Sequence, residues 1–202
     1  MATQAERTAQ TTEKLLDATI ALVIERGYRN TSLPEICKRA GVSRGAQLHH
    51  YPTKEALVAA AIEHLLVRRV RELGERLANA PSGVLDLGDA ASKLWSIYTG
   101  DTFYAWLELV VAARTEPELQ SMLAEVDKRF ASRAELLCQK FLLPHVEDKE
   151  EIAATARLIL AMFDGLATHR ILSRDDAAAK RALKVAARAG LFTRRSGSGG
   201  DA

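Results

Sequence analysis

The chain has 202 residues, of which 48% are hydrophobic, and a formal net charge of +2 at pH 7. This length fits one large or two modest domains, and the apolar fraction is sufficient for a substantial core. No apolar stretch approaches the roughly 18 residues that a membrane span requires, and the N-terminus lacks a secretory signal pattern. We therefore expect a cytoplasmic protein without membrane association.

Two kinds of residue add to this picture. Cys37 and Cys138 are far apart and have no CxxC or CxxxH companion, so neither zinc nor a disulfide framework is expected, and both should fill the core. Residues 1–54 contain eight Lys or Arg against five Asp or Glu. This excess gives modest support for a nucleic-acid partner of the N-terminal region.

The pattern of apolar residues predicts an all-α fold of about nine helices. Apolar residues recur at spacings of three and four along nearly the whole chain, whereas strand signals are nearly absent. The first helix is predicted from about Thr12 to Arg26, where Gly27 ends it. The later helices, which follow a loop at 79–83, are predicted near 84–99, 102–114, 117–141, 149–172 and 175–190.

Residues 31–54 have the pattern of a helix-turn-helix. Ser32 and Glu35 form a predicted capping box that opens the second helix, and Gly41 ends it. Ser43 caps the third helix, which runs from Arg44 to about Tyr51. Thr53 then caps a fourth helix that continues to about residue 80.

Basic, hydrogen-bonding and small side chains in this region are candidates for DNA contact. Arg44 could contact guanine or phosphate, and Lys54 lies at a helix N-terminus, which already favours a phosphate. Ser32 could instead serve only as a cap, and Gly45 and Ala46 could simply fill space. The predicted set is Thr31, Ser32, Ser43, Arg44, Gly45, Ala46, Gln47, His49, His50 and Lys54.

Metal binding and catalysis are not expected. His49 and His50 are adjacent on a helix and point about 100° apart, so they are poorly placed to share one ion. The chain has no GxSxG or HExxH motif and no phosphate-binding glycine loop. We predict no cofactor, no metal and no enzyme activity.

Residues 15–58 (LLDATIALVIERGYRNTSLPEICKRAGVSRGAQLHHYPTKEALV) resemble the TetR family of transcriptional repressors, and residues 107–119 and 156–172 resemble it more faintly. The resemblance implies a DNA-binding head (1–54) and a ligand-binding and dimerisation body (55–192), while the polar composition of residues 193–202 predicts a flexible tail. It implies a homodimer through about 149–190 that binds a pseudo-palindromic DNA operator. A small, largely apolar inducer would release it.

One position departs from the family pattern. The reading helix of the family most often has a leucine followed by a tyrosine whose hydroxyl touches a phosphate, whereas this chain has Gln47 followed by Leu48. Our hypothesis is that Leu48 takes the core position and Gln47 turns to the major groove, where it could bond an adenine edge. The missing hydroxyl keeps an alternative open: a helical small-molecule-binding or scaffold protein with a weakened or lost DNA-binding head.

Aromatic residues between 95 and 106 are candidates for an inducer pocket. Helically spaced aromatics often belong to a core, but tryptophan and tyrosine also bring polar groups that suit a cavity. Glu108 lies within the apolar run LELVV and could face the cavity, pair with Arg114 or point to solvent. The predicted ligand-binding residues are Trp95, Tyr98, Phe103, Tyr104, Trp106, Glu108, Met122, Phe130, Met162 and Phe163.

Overall fold

The computed structural model describes residues 3–78, 91, 94–96, 98–144 and 146–189. These residues form helices and connecting turns without any strand, which confirms the all-α prediction. The helices with defined bounds are α1 (Gln4–Arg26), α2 (Leu33–Ala40), α3 (Arg44–His50), α4 (Lys54–Ala78), α5 (Asp101–Ala113), α6 (Pro117–Phe141), α7 (Lys149–Ser173) and α8 (Asp176–Arg188).

Most helix ends lie close to their predicted positions, but α1 is longer than predicted. It begins at Gln4 rather than near Thr12 because Thr3 and Glu6 form a capping box. The Thr3 amide donates to the Glu6 carboxylate at 2.6 Å, and the Glu6 amide donates to the Thr3 hydroxyl at 3.2 Å. The Thr-x-x-Glu spacing is the sequence signal that marks this earlier start.

Three sequence predictions fall largely on residues outside the described part of the chain. These are the loop at 79–83, the tail at 193–202 and most of the helix at 84–99. Within that helix, residues 91, 94–96 and 98 are helical.

The chain divides into two compact units. The first comprises Met1–Arg68 and Gly100–Phe130, and the second comprises Arg69–Thr99 and Ala131–Ala202. The predicted division placed a boundary at residue 54, whereas the first unit includes the head together with the start of α4, all of α5 and part of α6. The assignment of separate DNA-binding and ligand-binding domains remains a prediction.

Two apolar clusters hold the first unit together. One joins α1, α2 and the start of α4, and Leu15, Ile36 and Leu57 in it are fully buried. The other packs α1 and α4 against α5 and α6 and includes Tyr28 and Leu109. Full burial of each aliphatic side chain contributes about 1.5 to 3 kcal/mol, so the helices of the head depend on α4 and α5 for much of their stability.

Two further predictions concern burial and membranes. Cys37 and Cys138 are buried free thiols, as expected for core residues, and burial raises the pKa of Cys138 to about 11. No helix in the described ranges is both long enough and apolar enough to cross a bilayer.

Candidate nucleic-acid interface

Local hydrogen bonds and backbone conformations define the ends of α2 and the start of α3. The Glu35 carboxylate accepts hydrogen bonds from the Ser32 hydroxyl at 2.7 Å and the Ser32 amide at 3.2 Å. Gly41 ends α2 in the left-handed region (φ 64°), which costs glycine little. The Ser43 hydroxyl then accepts from the Ala46 amide at 3.2 Å and caps α3. These contacts confirm the predicted helix-turn-helix.

The solvent-facing side of α3 is polar and basic apart from Leu48. Ser43, Arg44, Gly45 and His49 are exposed, whereas Ala46 and His50 are half-buried. No carboxylate pairs with Arg44 in the described residues. This face, defined here as the α3 face, contains most of the predicted DNA contacts, and their contact with DNA remains a prediction.

The hypothesis about Gln47 and Leu48 is wrong. Gln47 is 1% exposed and Leu48 is 58% exposed. The Gln47 side-chain amide donates to the Tyr51 carbonyl inside the head. Gln47 therefore occupies the buried position that the family's leucine usually takes, and Leu48 occupies the exposed position of the tyrosine. Gln47 is not available to read a base.

Two other predicted contacts are also corrected. Thr31 is buried and its hydroxyl donates to the Gly27 carbonyl at 2.9 Å, so it is not a surface donor for phosphate. The Lys54 ammonium donates to the Tyr28 carbonyl at 2.7 Å and lies 3.9 Å from the centroid of the Tyr28 ring. Desolvation lowers the pKa of Lys54, while Glu116 and Glu55 oppose this shift. The side chain thus binds the α1–α2 turn instead of reaching toward a phosphate.

Ion pairs neutralise other basic groups of the head. Arg26 pairs with Glu35 at 2.7 Å and Arg39 pairs with Glu25 at 2.6 Å, so both pairs join α1 to α2. The hydrogen bond from Arg39 lowers the pKa of Glu25, and the hydrogen bond from Ser32 lowers that of Glu35. Exposed pairs of this kind add little stability. Their consequence is that Arg44 carries the principal unneutralised charge of the α3 face.

The two histidines of α3 lie next to each other on the helix. The rings of His49 and His50 have centroids 5.5 Å apart in an edge arrangement. Within the described residues, no group of three metal-binding side chains comes together.

The predicted ligand-binding residues fall in both units. Trp95, Tyr98 and Phe163 form an aromatic cluster in the second unit, with ring centroids 6.2 Å and 5.2 Å from Phe163. The Trp95 indole N–H is satisfied by Asp176 at 2.9 Å. The remaining candidates divide as follows: Met162 is half-buried in the second unit, and Phe103, Tyr104, Trp106, Glu108, Met122 and Phe130 lie in the first.

Each unit has a groove lined by one predicted tryptophan. The groove of the first unit, called here the α5–α6 groove, has a volume of about 540 Å³ and is lined by Trp106, Val110, Val111, Ala113, Arg114, Gln120, Leu123 and Ala124. The groove of the second unit has about 440 Å³ and is lined by Ala91, Trp95, Ser96, Thr99, Asp176, Lys180, Leu183 and Lys184. The sequence analysis predicted only the tryptophan of each groove and missed the other lining residues. The spacing of residues 106, 110 and 114 could have placed them on one side of α5.

Glu108 does not line either groove. Its Oε1 atom accepts a hydrogen bond from the Tyr28 amide at 3.2 Å. The predictions that it faces a ligand cavity or pairs with Arg114 are therefore wrong. Glu108 is exposed, in line with the third alternative, and its carboxylate also contacts the α1–α2 turn.

Comparison with known proteins agrees with this architecture. Residues 15–61 match the bacterial regulatory proteins of the tetR family, and residues 99–189 match the C-terminal region of BetI-type transcriptional repressors. An uncharacterised HTH-type transcriptional regulator of Mycobacterium tuberculosis is 33% identical over 170 residues, which cover 83% of this chain and 86% of that protein.

Solved structures have the same fold. A transcriptional regulator from Streptomyces coelicolor A3(2) is 25% identical, with a TM-score of 0.68 over 92% of this chain and 99% of that chain. The multidrug binding protein EbrR, crystallised with ethidium, is 24% identical, with a TM-score of 0.63 over 87% of this chain and 96% of that chain. Together with the helix-turn-helix geometry, these relationships identify the chain as a DNA-binding transcription regulator, not an enzyme, that belongs to the TetR family.

Proposed function

We propose that the protein is a dimeric transcriptional repressor that binds a pseudo-palindromic operator and is released by a small, largely apolar inducer. The observation that carries this proposal is the α3 face, where exposed Arg44 and His49 stand on a helix capped by Ser43. A charged guanidinium on an exposed recognition helix suits both guanine edges and phosphates. The match of residues 99–189 to BetI-type repressors supports repression.

Dimerisation is proposed through α7 and α8, within about 149–190. Both helices expose large apolar side chains, namely Leu158, Ile171, Leu172 and Val185. A second copy of the chain would cover this surface, because a two-fold axis brings the same patch from each protomer together. Two helices from each protomer would then form a four-helix interface that matches a symmetric operator.

The α5–α6 groove is the proposed inducer site. Its walls are mostly apolar, and Arg114 and Gln120 supply the few polar groups that orient a ligand. EbrR was crystallised with ethidium, which is a cation, whereas the Arg114 guanidinium here disfavours a cationic ligand and favours a neutral or acidic one. Release of DNA requires the inducer to prefer the state with lower DNA affinity, since equal affinity shifts nothing.

Two observations favour a second function. Leu48 places no hydroxyl on the α3 face, and Lys54 is held by Tyr28 rather than exposed. A helical small-molecule-binding or scaffold protein with a weakened head would retain the groove without strong DNA binding.

Selection of bound duplexes from a random library, followed by a salt titration, tests the proposal. Repression predicts enrichment of one inverted-repeat sequence and an affinity that falls steeply with salt. The matched variant is Arg44→Ala. It should reduce the slope of log affinity against log salt concentration by about one for each phosphate that the guanidinium neutralises. Failure to enrich any duplex at low salt would favour the second function.

A further inference from the structure

The turn between α1 and α2 is shaped around the carboxylate of Glu108. Gly27 has φ +78°, a conformation that side-chain-bearing residues rarely adopt. A Cβ atom at this position would stand 2.5 Å from Glu108 Oε1. The carboxylate therefore occupies the space that a side chain at position 27 would need, and it is close enough to accept from the Tyr28 amide at 3.2 Å.

Tyr28 connects this contact to the start of α4. Its hydroxyl donates to Glu55 at 3.0 Å, and its carbonyl accepts from Lys54 at 2.7 Å. The adjacent Arg29 donates to Thr115, just beyond α5, at 3.4 Å. One turn is thus hydrogen-bonded to α4 and to both ends of the segment 108–115.

The same turn determines where the helix-turn-helix begins. The Thr31 hydroxyl donates to the Gly27 carbonyl, and Ser32 immediately afterwards starts α2. Because α2 and α3 are joined by a short turn that contains left-handed Gly41 and the Ser43 cap, a shift of residues 27–31 would displace α3 as well.

Glu108 is also placed to sense the α5–α6 groove. Trp106 and Val110 line the groove and lie two residues before and after Glu108. Residues two apart on a helix are separated by about 200°, so Glu108 points away from Trp106 and Val110, whereas Val111, three residues on, lines the groove and neighbours Glu108 on the helix surface. A displacement of α5 by a ligand would therefore move the carboxylate relative to Tyr28.

We infer that Glu108 is a positioning residue for DNA binding: its carboxylate fixes the α1–α2 turn and thereby the placement of α3. This role rests on the proposed function, because it requires an operator to which α3 binds. It requires an acceptor oxygen at Oε1 and no contact between Glu108 and DNA or inducer.

The test compares Glu108→Ala with Glu108→Gln, which keeps an acceptor oxygen. Glu118→Ala is the control, since it removes an exposed carboxylate from the first turn of α6. Hydrogen exchange at the Tyr28 amide is measured without DNA, and affinity is measured for the duplex recovered by selection. Circular dichroism gives the Tm of each variant.

The expected result is faster Tyr28 amide exchange and a roughly fivefold to tenfold weaker operator affinity for Glu108→Ala, with little change in Tm, because only one partly solvated charge-assisted hydrogen bond is removed. Glu108→Gln should stay within about threefold of the native affinity, as Glu118→Ala should. Native exchange or native affinity in Glu108→Ala would overturn the inference, as would equal losses of affinity in the alanine and glutamine variants.

Gly27→Ala is a second test of the turn. Because a φ of +78° strains any residue that carries a side chain, this change should weaken operator binding in both the native and the Glu108→Ala background. Native operator affinity in Gly27→Ala would contradict the dependence of α3 placement on this turn. If no duplex is bound by the native protein, the repressor proposal and the positioning role both fail, while altered Tyr28 exchange would still establish the Glu108 contact.

Discussion

Two exposed faces of the molecule have opposite chemistry. The α3 face presents Arg44 and His49 around a single exposed leucine. Helices α7 and α8 expose Leu172 at 87% and Val185 at 64%, and Leu158 and Ile171 are exposed as well. The basic side chains on the short capped helix are suited to binding a hydrated polyanion such as DNA. The exposed aliphatic side chains on the two helices are suited to an interface with another protein surface, from which water is excluded. The difference separates a proposed DNA-binding face from a proposed self-association face.

The largest expected effect is loss of the dimer when charge enters the apolar face. Leu172→Asp combined with Val185→Asp should weaken self-association by at least about 100-fold, since buried unpaired carboxylates are strongly unfavourable. Sedimentation equilibrium measures this directly. Leu136→Asp is the control, because Leu136 is also exposed but lies on α6, outside the proposed interface. A dimer that survives the first change and dissociates with the control would place the interface elsewhere.

The α3 face should lose DNA affinity when its guanidinium is removed. Arg44→Ala is expected to weaken operator binding by roughly tenfold to 100-fold, corresponding to about 1 to 3 kcal/mol for one base contact. Fluorescence anisotropy at several salt concentrations gives both affinity and salt slope. Lys140→Ala, which removes an exposed charge near the end of α6 and outside the proposed dimer interface, should leave both values near native. Equal effects of the two changes would show that only overall charge matters.

Within α3, neighbouring positions should affect different properties. Gln47→Ala should lower the free energy of unfolding by about 2 to 3 kcal/mol, because it creates a cavity and removes the bond to Tyr51. Leu48→Ala should change it by less than about 0.5 kcal/mol, since the side chain is largely exposed. Urea denaturation distinguishes them. Gln47→Leu, an apolar replacement of similar size, should be neutral or stabilising, and marked destabilisation would contradict the buried placement.

The smallest expected effect is the pH dependence of the stability that Asp176, on α8, contributes. Hydrogen bonds from Lys180 and Trp95 lower the pKa of Asp176, and Arg170 adds to the shift. The folded protein therefore binds this proton less readily than the unfolded chain, so stability from Asp176 is present above its unfolded pKa and disappears as pH falls through the lowered folded value. The Tm difference between native protein and Asp176→Asn should be constant near neutral pH and shrink below about pH 4. A difference independent of pH down to about 2 would exclude this linkage.

The helix-turn-helix was predictable because its signals are local. Ser32, Gly41 and Ser43 mark helix ends through hydrogen bonds and backbone conformations that involve only neighbouring residues. The capping box of Thr3 and Glu6 is equally local, so the observed start of α1 could also have been predicted from the sequence. The family resemblance of residues 15–58 added the expected order of helices, which the structural and sequence relatives confirm.

The direction of individual side chains was less predictable. Gln47 and Leu48 both border the inward face of α3, and adjacent helical positions differ by about 100°, so a small rotation of α3 decides which is buried. Hydrophobicity favoured Leu48, but the amide of Gln47 finds an acceptor at Tyr51 within the same helix end, which offsets its burial. The local sequence pattern identifies Gln47 and Leu48 as the two candidates for the buried position, but it does not show which of them is buried.

The sequence by itself determined the all-α class, the caps and turn of the head and membership of the TetR family, since these depend on short-range periodicity and hydrogen bonding. Tertiary structure alone decided that Lys54 binds Tyr28, that Glu108 contacts the α1–α2 turn and that Trp95 and Trp106 line different grooves. The physical reason is distance along the chain: Glu108 and Tyr28 are separated by 80 residues. Their contact depends on how α1, α4 and α5 pack around a shared apolar core, which no local pattern records.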